Sequence, residues 1–421
     1  MPNNFDSNFT RKLAKSFTDK FESARVLSKN VNTQLISSMP FKADTGDTVD
    51  VKRPTDYKSV RTATGDVSGA TKSDIITGKA SATVQDYFTV FVDYNEADEA
   101  IKMDQLDELL APMATRVVTD FELDYGAYML KNTALLSGTV GTAITSWSDV
   151  ANAGAVMEAS GIPQDGGWCM AVNPFTQRSL AGEQRGLGGE TGSMTANQRA
   201  TIAENFAGMK VKTCTTLASY TTGAGADRAG TLSANPIVTY AAAKDSMTQQ
   251  LAVNGFQANL EIKAGETITI AGRNRLNLST RQPILDANGN TILFSGTVTA
   301  DVTLDGTGAG TLIVTGPAIY EANGAYNTVD SAPVSGDVVT LGGAASTIIQ
   351  PNLFWHKNAF TIGSVPMKKL HSTDTIATTE DGLQMRVSKG VGFLENEQKV
   401  RIDFRPAYGT LNPFFAGQAF G

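Results

Sequence analysis

The cysteines, histidines and glycine-rich runs are the parts of this sequence whose residue types could do chemistry. Cys169 and Cys214 stand far apart and in no C-x-x-C pattern, and two histidines are too few for a histidine-rich metal site. Residues 186–189 and 306–310 are rich in glycine, but neither run joins a strand to a helix with dinucleotide-binding spacing, and no Gly-Lys-Ser/Thr occurs. We therefore expect a protein that is not an enzyme and has no cofactor, catalytic residue or metal site.

Carboxylates form the next candidate for chemistry. Nine acidic residues fall between positions 96 and 124, against only Lys102 and Arg116. Such a run can bind a metal, but a solvated helix face is its more ordinary role. Apolar residues recur there every three or four positions from Met103 to Tyr128, which predicts one helix over 103–135. At 1.5 Å per residue this helix would be about 50 Å long, with a kink or break at Pro112.

A second amphipathic helix is predicted near the amino terminus, over residues 5–29. Its apolar stripe repeats every four residues, and its other faces are basic. The stripe consists of Phe9, Leu13, Phe17 and Phe21, and the basic residues include Arg11 and Lys15. The stripe can pack on its own domain, or the helix can be an arm whose groove lies on a neighbouring subunit or another partner. A role at a membrane surface is disfavoured, because the segment carries little charge and no lipidation signal.

Residues 41–95 are predicted to form two strands joined by a polar excursion of about 30 residues. Excursions of this length are uncommon inside a compact domain and are usually functional or disordered. The excursion is rich in glycine and charge and supplies no core of its own. It therefore needs a neighbour to order it.

The composition changes again over residues 225–345, which are rich in Thr, Gly and Ala. Short β-runs, including 237–240 and 338–341, alternate with turns such as Asn288-Gly289, which predicts a small β-barrel or sandwich. Residues 144–220 have a mixed α/β pattern, and the alternation across 383–404 predicts a half-buried hairpin. The β-module is therefore inserted into a host domain that resumes after it.

Charge and targeting signals narrow the class of protein. Lys plus Arg number 35 and Asp plus Glu number 42, so the formal charge is −7, which argues against a nucleic-acid reader with a net basic surface. Charged residues make up only 18%, so much of the surface is expected to be shared among subunits. No secretory signal or apolar run of about 18 residues is found, so we expect a cytoplasmic protein without a membrane span.

Ordered motifs then point to a family. They include Gly46-Asp47-Thr48-Val49, Lys52-Arg53-Pro54, Arg61-Thr62-Ala63-Thr64-Gly65-Asp66-Val67-Ser68-Gly69, Glu99-Ala100-Ile101-Lys102, Leu110-Ala111-Pro112, Ser146-Trp147-Ser148-Asp149, Pro351-Asn352-Leu353-Phe354 and Lys369-Leu370-His371-Ser372. With these motifs the sequence resembles the major capsid (coat) proteins of tailed double-stranded DNA phages. The branch that it resembles is that of short-tailed phages whose coat carries an inserted β-domain.

The resemblance implies an α+β tailed-phage major capsid fold with an inserted small β-barrel domain. The implied segments are an N-terminal arm (1–40), an extended loop with flanking strands (41–95), a peripheral domain with a spine helix (96–143, returning at 373–421), an axial domain (144–224, returning at 346–372) and the inserted barrel (225–345).

The resemblance also implies a structural function and a set of partners. The chain would self-assemble as hexamers and pentamers into an icosahedral procapsid and capsid that enclose double-stranded DNA without sequence-specific binding. A scaffolding protein during assembly and a portal protein at one vertex are the implied partners, and no membrane is involved. Assembly in the host cytoplasm would place the protein in the virion.

Opposite charges supply the candidate contacts between subunits. Basic side chains of the loop are predicted to pair with acids of a neighbour, and the candidates are Lys52, Arg53, Lys58, Arg61, Asp66, Glu96, Asp98, Glu99, Asp104 and Asp107. Candidates on the arm for contact with the scaffolding protein are Phe9, Leu13, Phe17, Phe21, Arg11 and Lys15. Deleting residues 1–25 is expected to block scaffold-directed assembly and to leave the fold intact.

Two alternative functions stay open from the sequence. A bacterial nanocompartment shell protein shares the fold but encloses enzymes, and a particle with DNA and a portal would exclude it. An exported adhesin or surface-layer protein is suggested by the Thr- and Gly-rich β-module, and secretion of the chain would favour it.

Overall fold

The computed structural model describes residues 6–33, 46–70, 72–95, 106–187, 196, 198–371, 374–392 and 397–421. The chain is a mixed α+β protein that divides into two compact units. The first unit consists of Met1–Asp50, Ser81–Gly126 and Phe360–Gly409. The second consists of Val51–Ala80, Ala127–Ala359 and Thr410–Gly421.

The arm helix is Asp6–Ala24 and the long helix is Leu106–Lys131. The other helices with given bounds are Trp147–Ala159, Pro174–Leu187 and Tyr240–Ala243, with 3₁₀ turns at Ser28–Asn30 and Pro413–Phe415.

The strands form four larger sheets and two small ones among the described residues. In spatial order, one four-stranded sheet is Thr48–Lys52, Lys79–Val84, Pro406–Thr410 and Phe360–Ser364, and the other is Thr375–Thr378, Gln384–Gly392, Glu397–Phe404 and Phe88–Asn95. The six-stranded sheet is Leu135–Ser137, Ala416–Ala419, Asn352–His356, Trp168–Val172, Met209–Thr213 and Asn205–Phe206. The closed barrel is Thr248–Asn254, Gly310–Thr315, Leu293–Val298, Thr267–Asn274, Val338–Leu341 and Ala229–Leu232. The small pairs are Glu261–Ile262 with Val302–Thr303, and Ile348–Ile349 with Tyr220–Thr221.

Aromatic side chains form the centre of the first unit. Phe21 of the arm helix, Phe121 of the long helix and Phe404 of the hairpin have ring centroids 5.0–6.3 Å apart. The predicted hairpin is present, and its strands pair antiparallel with Met385 opposite Phe404. Alternation along the two strands turns their apolar face toward the helices, which gives the sheet a buried side.

The second unit contains the predicted α/β segment. Every residue of Trp168–Val172 is buried, as its apolar run indicates. Ser146 caps the preceding helix, Trp147–Ala159, because its side chain and that of Asp149 form a reciprocal capping box. Asn173 caps the following helix, since its Oδ1 accepts the amide hydrogens of Phe175 and Thr176 at 2.7 and 3.2 Å.

The barrel confirms the β-module that the turn spacing predicts. Its six strands lie between residues 229 and 341, and apolar side chains such as Ile268, Phe294 and Val339 fill its interior with exposures of 0–1%. Closure removes the free edges that short Thr-rich strands would otherwise expose. The module therefore has a core of its own.

Several predicted boundaries are wrong. The long helix ends at Lys131 rather than 135, because Leu135 already starts a strand of the six-stranded sheet, and the helix is not split at Pro112. Positions 186 and 187, the start of a glycine-rich run, belong to the helix Pro174–Leu187. Residues 237–240 are not a strand, since Tyr240 begins a short helix whose alanines favour that state.

Candidate intersubunit surface

The extended loop, residues 53–78, is fixed at its base by a buried arginine. The Arg53 side chain donates hydrogen bonds to the carbonyl oxygens of Lys79, Thr410 and Leu411, and burial lowers its pKa. The backbone amide of Arg53 donates to the carbonyl of Gly78 at 2.9 Å, which joins the two ends of the loop. Arg53 therefore has a structural role inside its own subunit, and we remove it from the candidates for contact with a neighbour.

The other candidates near and on the loop face solvent. Lys52, Lys58, Arg61 and Asp66 are all exposed. Lys58 lies near the base, where its Nζ donates to Asn323 Oδ1 at 3.1 Å. The Ser68 amide and hydroxyl group hold the pKa of the Asp66 carboxyl below its usual value. The loop thus presents ionised groups of both signs.

The same loop carries exposed apolar side chains that the sequence pattern does not indicate. Tyr57, Val60, Val67 and Ile75 are 54%, 47%, 55% and 75% exposed. Apolar side chains that are scattered singly need no explanation, but four on one loop are typical of a surface that a partner covers. These four residues are widely spaced and follow neither a helical nor a strand period, so the sequence pattern does not indicate a shared surface.

The acidic candidates are placed only in part. Glu96, Asp98, Glu99 and Asp104 lie outside the described residues, and Asp107 lies in the first turn of the long helix. The pairing between loop and acids therefore stays a prediction.

The arm helix packs on its own subunit, which is one of the two alternatives that its pattern leaves open. Leu13, Phe17 and Phe21 are each 0% exposed, whereas Arg11 and Lys15 face solvent. The side chain of Phe9 lies outside the described part. Because the stripe is core, we reassign these three apolar residues to stability. Arg11 and Lys15 are left as the candidates for contact with a partner.

A buried polar network, also missed, fastens the end of the arm helix to the long helix. Glu122 is 1% exposed, and its carboxylate accepts the amide hydrogens of Val26, Leu27 and Ser28 at 3.2, 2.7 and 3.1 Å, together with the Ser28 hydroxyl. Arg25 donates to the Ser28 side chain at 2.7 Å. Three backbone donors are thereby satisfied by one carboxylate, which fixes the path of the chain after the helix.

The network continues to the hairpin sheet. Arg25 Nη1 donates to Asp381 Oδ2 at 2.9 Å, and the guanidinium lies 5.7 Å from the Phe21 ring centroid. Glu22 Oε1 accepts the amide hydrogen of Glu380 at 2.8 Å. In sequence these acids look like any solvated charges, so only the fold identifies their roles.

A shallow groove runs between the arm helix and the long helix. Ser16 and Lys20 line it from the arm, and Ala111, Pro112, Thr115, Arg116 and Thr119 from the long helix. Arg116 pairs with Asp120 at 3.0 Å along the helix surface. No helix in the described ranges is long and apolar enough to cross a membrane.

Comparison with known proteins gives one family match over almost the whole chain. The profile of the family described as P22 coat protein, gene protein 5, matches residues 2–421. A major capsid protein of Acyrthosiphon pisum secondary endosymbiont phage 1 is 36% identical over 426 residues, covering 100% of both chains.

Solved structures give weaker likenesses. A chain of Mycobacterium phage Che8 has a TM-score of 0.47 and 11% identity, covering 93% of this chain and 90% of its own. A chain from the capsid structure of Cyanophage P-SCSP1u has a TM-score of 0.44 and 11% identity, covering 90% and 84%.

Proposed function

The chain belongs to the P22 coat protein family and is a major capsid protein of a tailed phage, and on this premise we propose that it assembles as hexamers and pentamers into an icosahedral procapsid and capsid. As a structural capsid protein it is a component of the virion. Double-stranded DNA is enclosed by closure of the shell, without sequence-specific binding, in keeping with a formal charge of −7.

We propose that the extended loop makes the contact between subunits. It combines exposed Arg61 with the exposed apolar side chains of Tyr57, Val60, Val67 and Ile75. A neighbouring subunit of the same chain that covers this loop would bury apolar area and pair its charges in one step. Each such contact is modest, and repetition over a closed shell supplies the stability.

The division into capsid domains follows the family. The arm is 1–40, the loop region 41–95, the peripheral domain 96–143 with 373–421, the axial domain 144–224 with 346–372, and the inserted barrel 225–345. The barrel strands between 229 and 341 support the last boundary. Pairing of Ala416–Ala419 with Asn352–His356 supports moving the final strand to the axial domain.

Two protein partners complete the proposal. A scaffolding protein directs assembly and meets the exposed arm residues Arg11 and Lys15. A portal protein occupies one vertex, and assembly takes place in the host cytoplasm. The support for the arm contact is that these basic side chains face solvent while the stripe beside them is buried.

Charge reversal at Arg61 tests the loop contact. Arg61→Glu should leave the subunit folded, because the side chain is exposed, and should yield soluble subunits or aberrant shells in place of closed particles. Arg61→Lys keeps the charge and is the matched control. Electron microscopy of particles from cells that express each variant with its scaffolding protein gives the answer. Normal-sized shells from Arg61→Glu would contradict the proposed contact.

A further inference from the structure

We propose that the inserted barrel domain sets the direction of the extended loop, and that Arg281 is the positioning residue of this clamp. The inference rests on the proposed function, since the loop's direction matters because a neighbour receives it. The clamp consists of Asp56, Lys58, Ile76 and Thr77 on the loop and of Lys244, Arg281, Asn323 and Tyr326 on the insert.

One tyrosine holds both ends of the loop. The Tyr326 hydroxyl accepts the amide hydrogen of Asp56 at 2.9 Å on the outgoing side and donates to the carbonyl of Ile76 at 3.3 Å on the returning side. Its ring stacks on Tyr240, with centroids 3.7 Å apart and planes 2° from parallel. Both tyrosines are buried, at 9% and 2% exposed, so the hydroxyl is held at a fixed point.

Arg281 adds a charged contact at the same place. Its Nη2 donates to Asp56 Oδ2 at 2.5 Å, and its Nη1 donates to the carbonyl of Asn327 at 2.9 Å. The planar guanidinium makes both bonds at once, and a lysine has no such fork. The side chains of Arg281 and Asp56 are 22% and 44% exposed, so the pair is shielded on the insert side.

The backbone of Arg281 points to the same role. Its φ of 57° lies in the left-handed region, which a long side chain rarely adopts. The amide of Arg281 donates to the carbonyl of Asn277 at 2.9 Å, which closes the turn that holds it there. Such conformations persist where the surrounding contacts enforce them.

Further contacts bind the returning side of the loop. Lys244 Nζ donates to the carbonyl of Thr77 at 3.1 Å, and Asp245 Oδ1 accepts the amide hydrogen of Lys79 at 3.1 Å. At Gly78 a Cβ atom would lie 2.6 Å from the Lys244 carbonyl oxygen, so only glycine allows this approach. The residues that contact the loop, from Lys244 to Tyr326, all belong to the insert.

A small rotation of the loop at the clamp produces a large displacement at its far end. About ten residues run from the clamp to the far end of the loop, which reaches up to roughly 30 Å when extended. A rotation of about 10° at the base would move that end by roughly 5 Å, more than the distance tolerance of a hydrogen bond. Small changes at Arg281 should therefore misplace contacts that Arg61 and its neighbours make.

Asparagine at position 281 is the informative substitution. Asn tolerates the left-handed backbone, so Arg281→Asn removes the fork without adding strain. We expect hydrogen exchange at amides 56–58 and at Lys79 to rise about tenfold or more in the soluble subunit, with fewer closed shells in the presence of the scaffolding protein. Asp56→Asn should reproduce both effects from the loop side, and Arg281→Lys should fall between.

The control is an ion pair of the barrel that does not contact the loop. Arg273 bonds Asp337 at 2.7 Å, so Arg273→Gln should weaken the barrel and leave exchange at 56–58 unchanged. The proposal is overturned if Arg281→Asn leaves loop exchange unaltered, if it speeds exchange yet gives normal shells, or if Arg273→Gln produces the same loop effect. Failure of the unsubstituted chain to form shells would instead refute the proposed function, and the exchange measurement would still show whether the clamp orders the loop.

Discussion

Charged residues of this chain differ in role according to what the fold places next to them. Arg53 and Arg61 lie eight positions apart on one loop, yet the first is 8% exposed and bonds to backbone carbonyls while the second faces solvent. The sequence could predict that the loop is charged. It could not predict the burial of Arg53, because the acceptors near residue 410 lie some 360 positions further along the chain.

The barrel ion pair gives a prediction about pH. Asp337 accepts from Arg273 Nε at 2.7 Å and Nη2 at 2.8 Å, and this bonding holds the pKa of the carboxyl below its usual 3.8. A depressed pKa means that the pair stabilises the folded state above about pH 4, and that this stability is lost as the pH falls through the lowered value. Asp337→Asn should therefore lower the free energy of unfolding by about 2–3 kcal/mol at pH 7, and this difference should shrink below pH 4.

Urea denaturation across pH 2.5–7 measures that difference. The control is Glu158→Gln, whose side chain is exposed on the helix Trp147–Ala159, and which should change stability by less than about 0.5 kcal/mol at every pH. A gap for Asp337→Asn that stayed constant through the acid range would show that the carboxylate charge is not its cause.

At the scale of elements, local periodicity predicts most of what forms. The arm helix, the long helix, the hairpin and the β-module all follow from spacing alone, because each repeats its pattern over enough residues. Strands Ala229–Leu232 and Thr248–Asn254 were missed. Their pairing to distant parts of the barrel, such as Leu251 opposite Leu312, leaves little local signal. The partner of the arm's apolar stripe was likewise open until the fold placed it on Phe121 and Phe404.

The apolar face of the arm helix belongs to the core, whereas its basic face is exposed and available to a partner. This difference changes the expected result of a deletion. Removing residues 1–25 would expose Phe121 and Phe404, so loss of assembly could follow from unfolding.

Phe17→Ala should lower the free energy of unfolding by about 3–5 kcal/mol, because the ring is fully buried. The double variant Arg11→Glu, Lys15→Glu should stay within about 1 kcal/mol of the unsubstituted chain, yet assemble poorly with the scaffolding protein. Thermal melts and particle yield distinguish the two. Normal yield from the double variant would remove the arm's basic face from the scaffold contact.

At the scale of the whole molecule, the formal charge of −7 hides a local reversal of sign. Between residues 52 and 79 there are six basic side chains and three acidic ones, so this segment carries 6 − 3 = +3 while the rest of the chain is strongly acidic. On the proposed loop contact, subunits would repel one another in general and attract where the loop meets a neighbour. The closed shell needs the second effect to exceed the first.

Salt acts on these two effects with opposite sign, which makes it a test of the loop contact. The Debye length falls from about 10 Å at 0.1 M to about 3 Å at 1 M, so salt screens both the general repulsion and the exposed pairs of the loop. If the loop pairs dominate, assembly of the unsubstituted chain should slow by several fold over that range, because exposed pairs are worth only about 0.2–1 kcal/mol each but recur at every contact.

Arg61→Glu replaces an attraction with a repulsion, so its slow assembly should become faster as salt rises. Light scattering during scaffold-directed assembly gives both slopes. Equal slopes for the two chains would mean that Arg61 meets no charge on its neighbour.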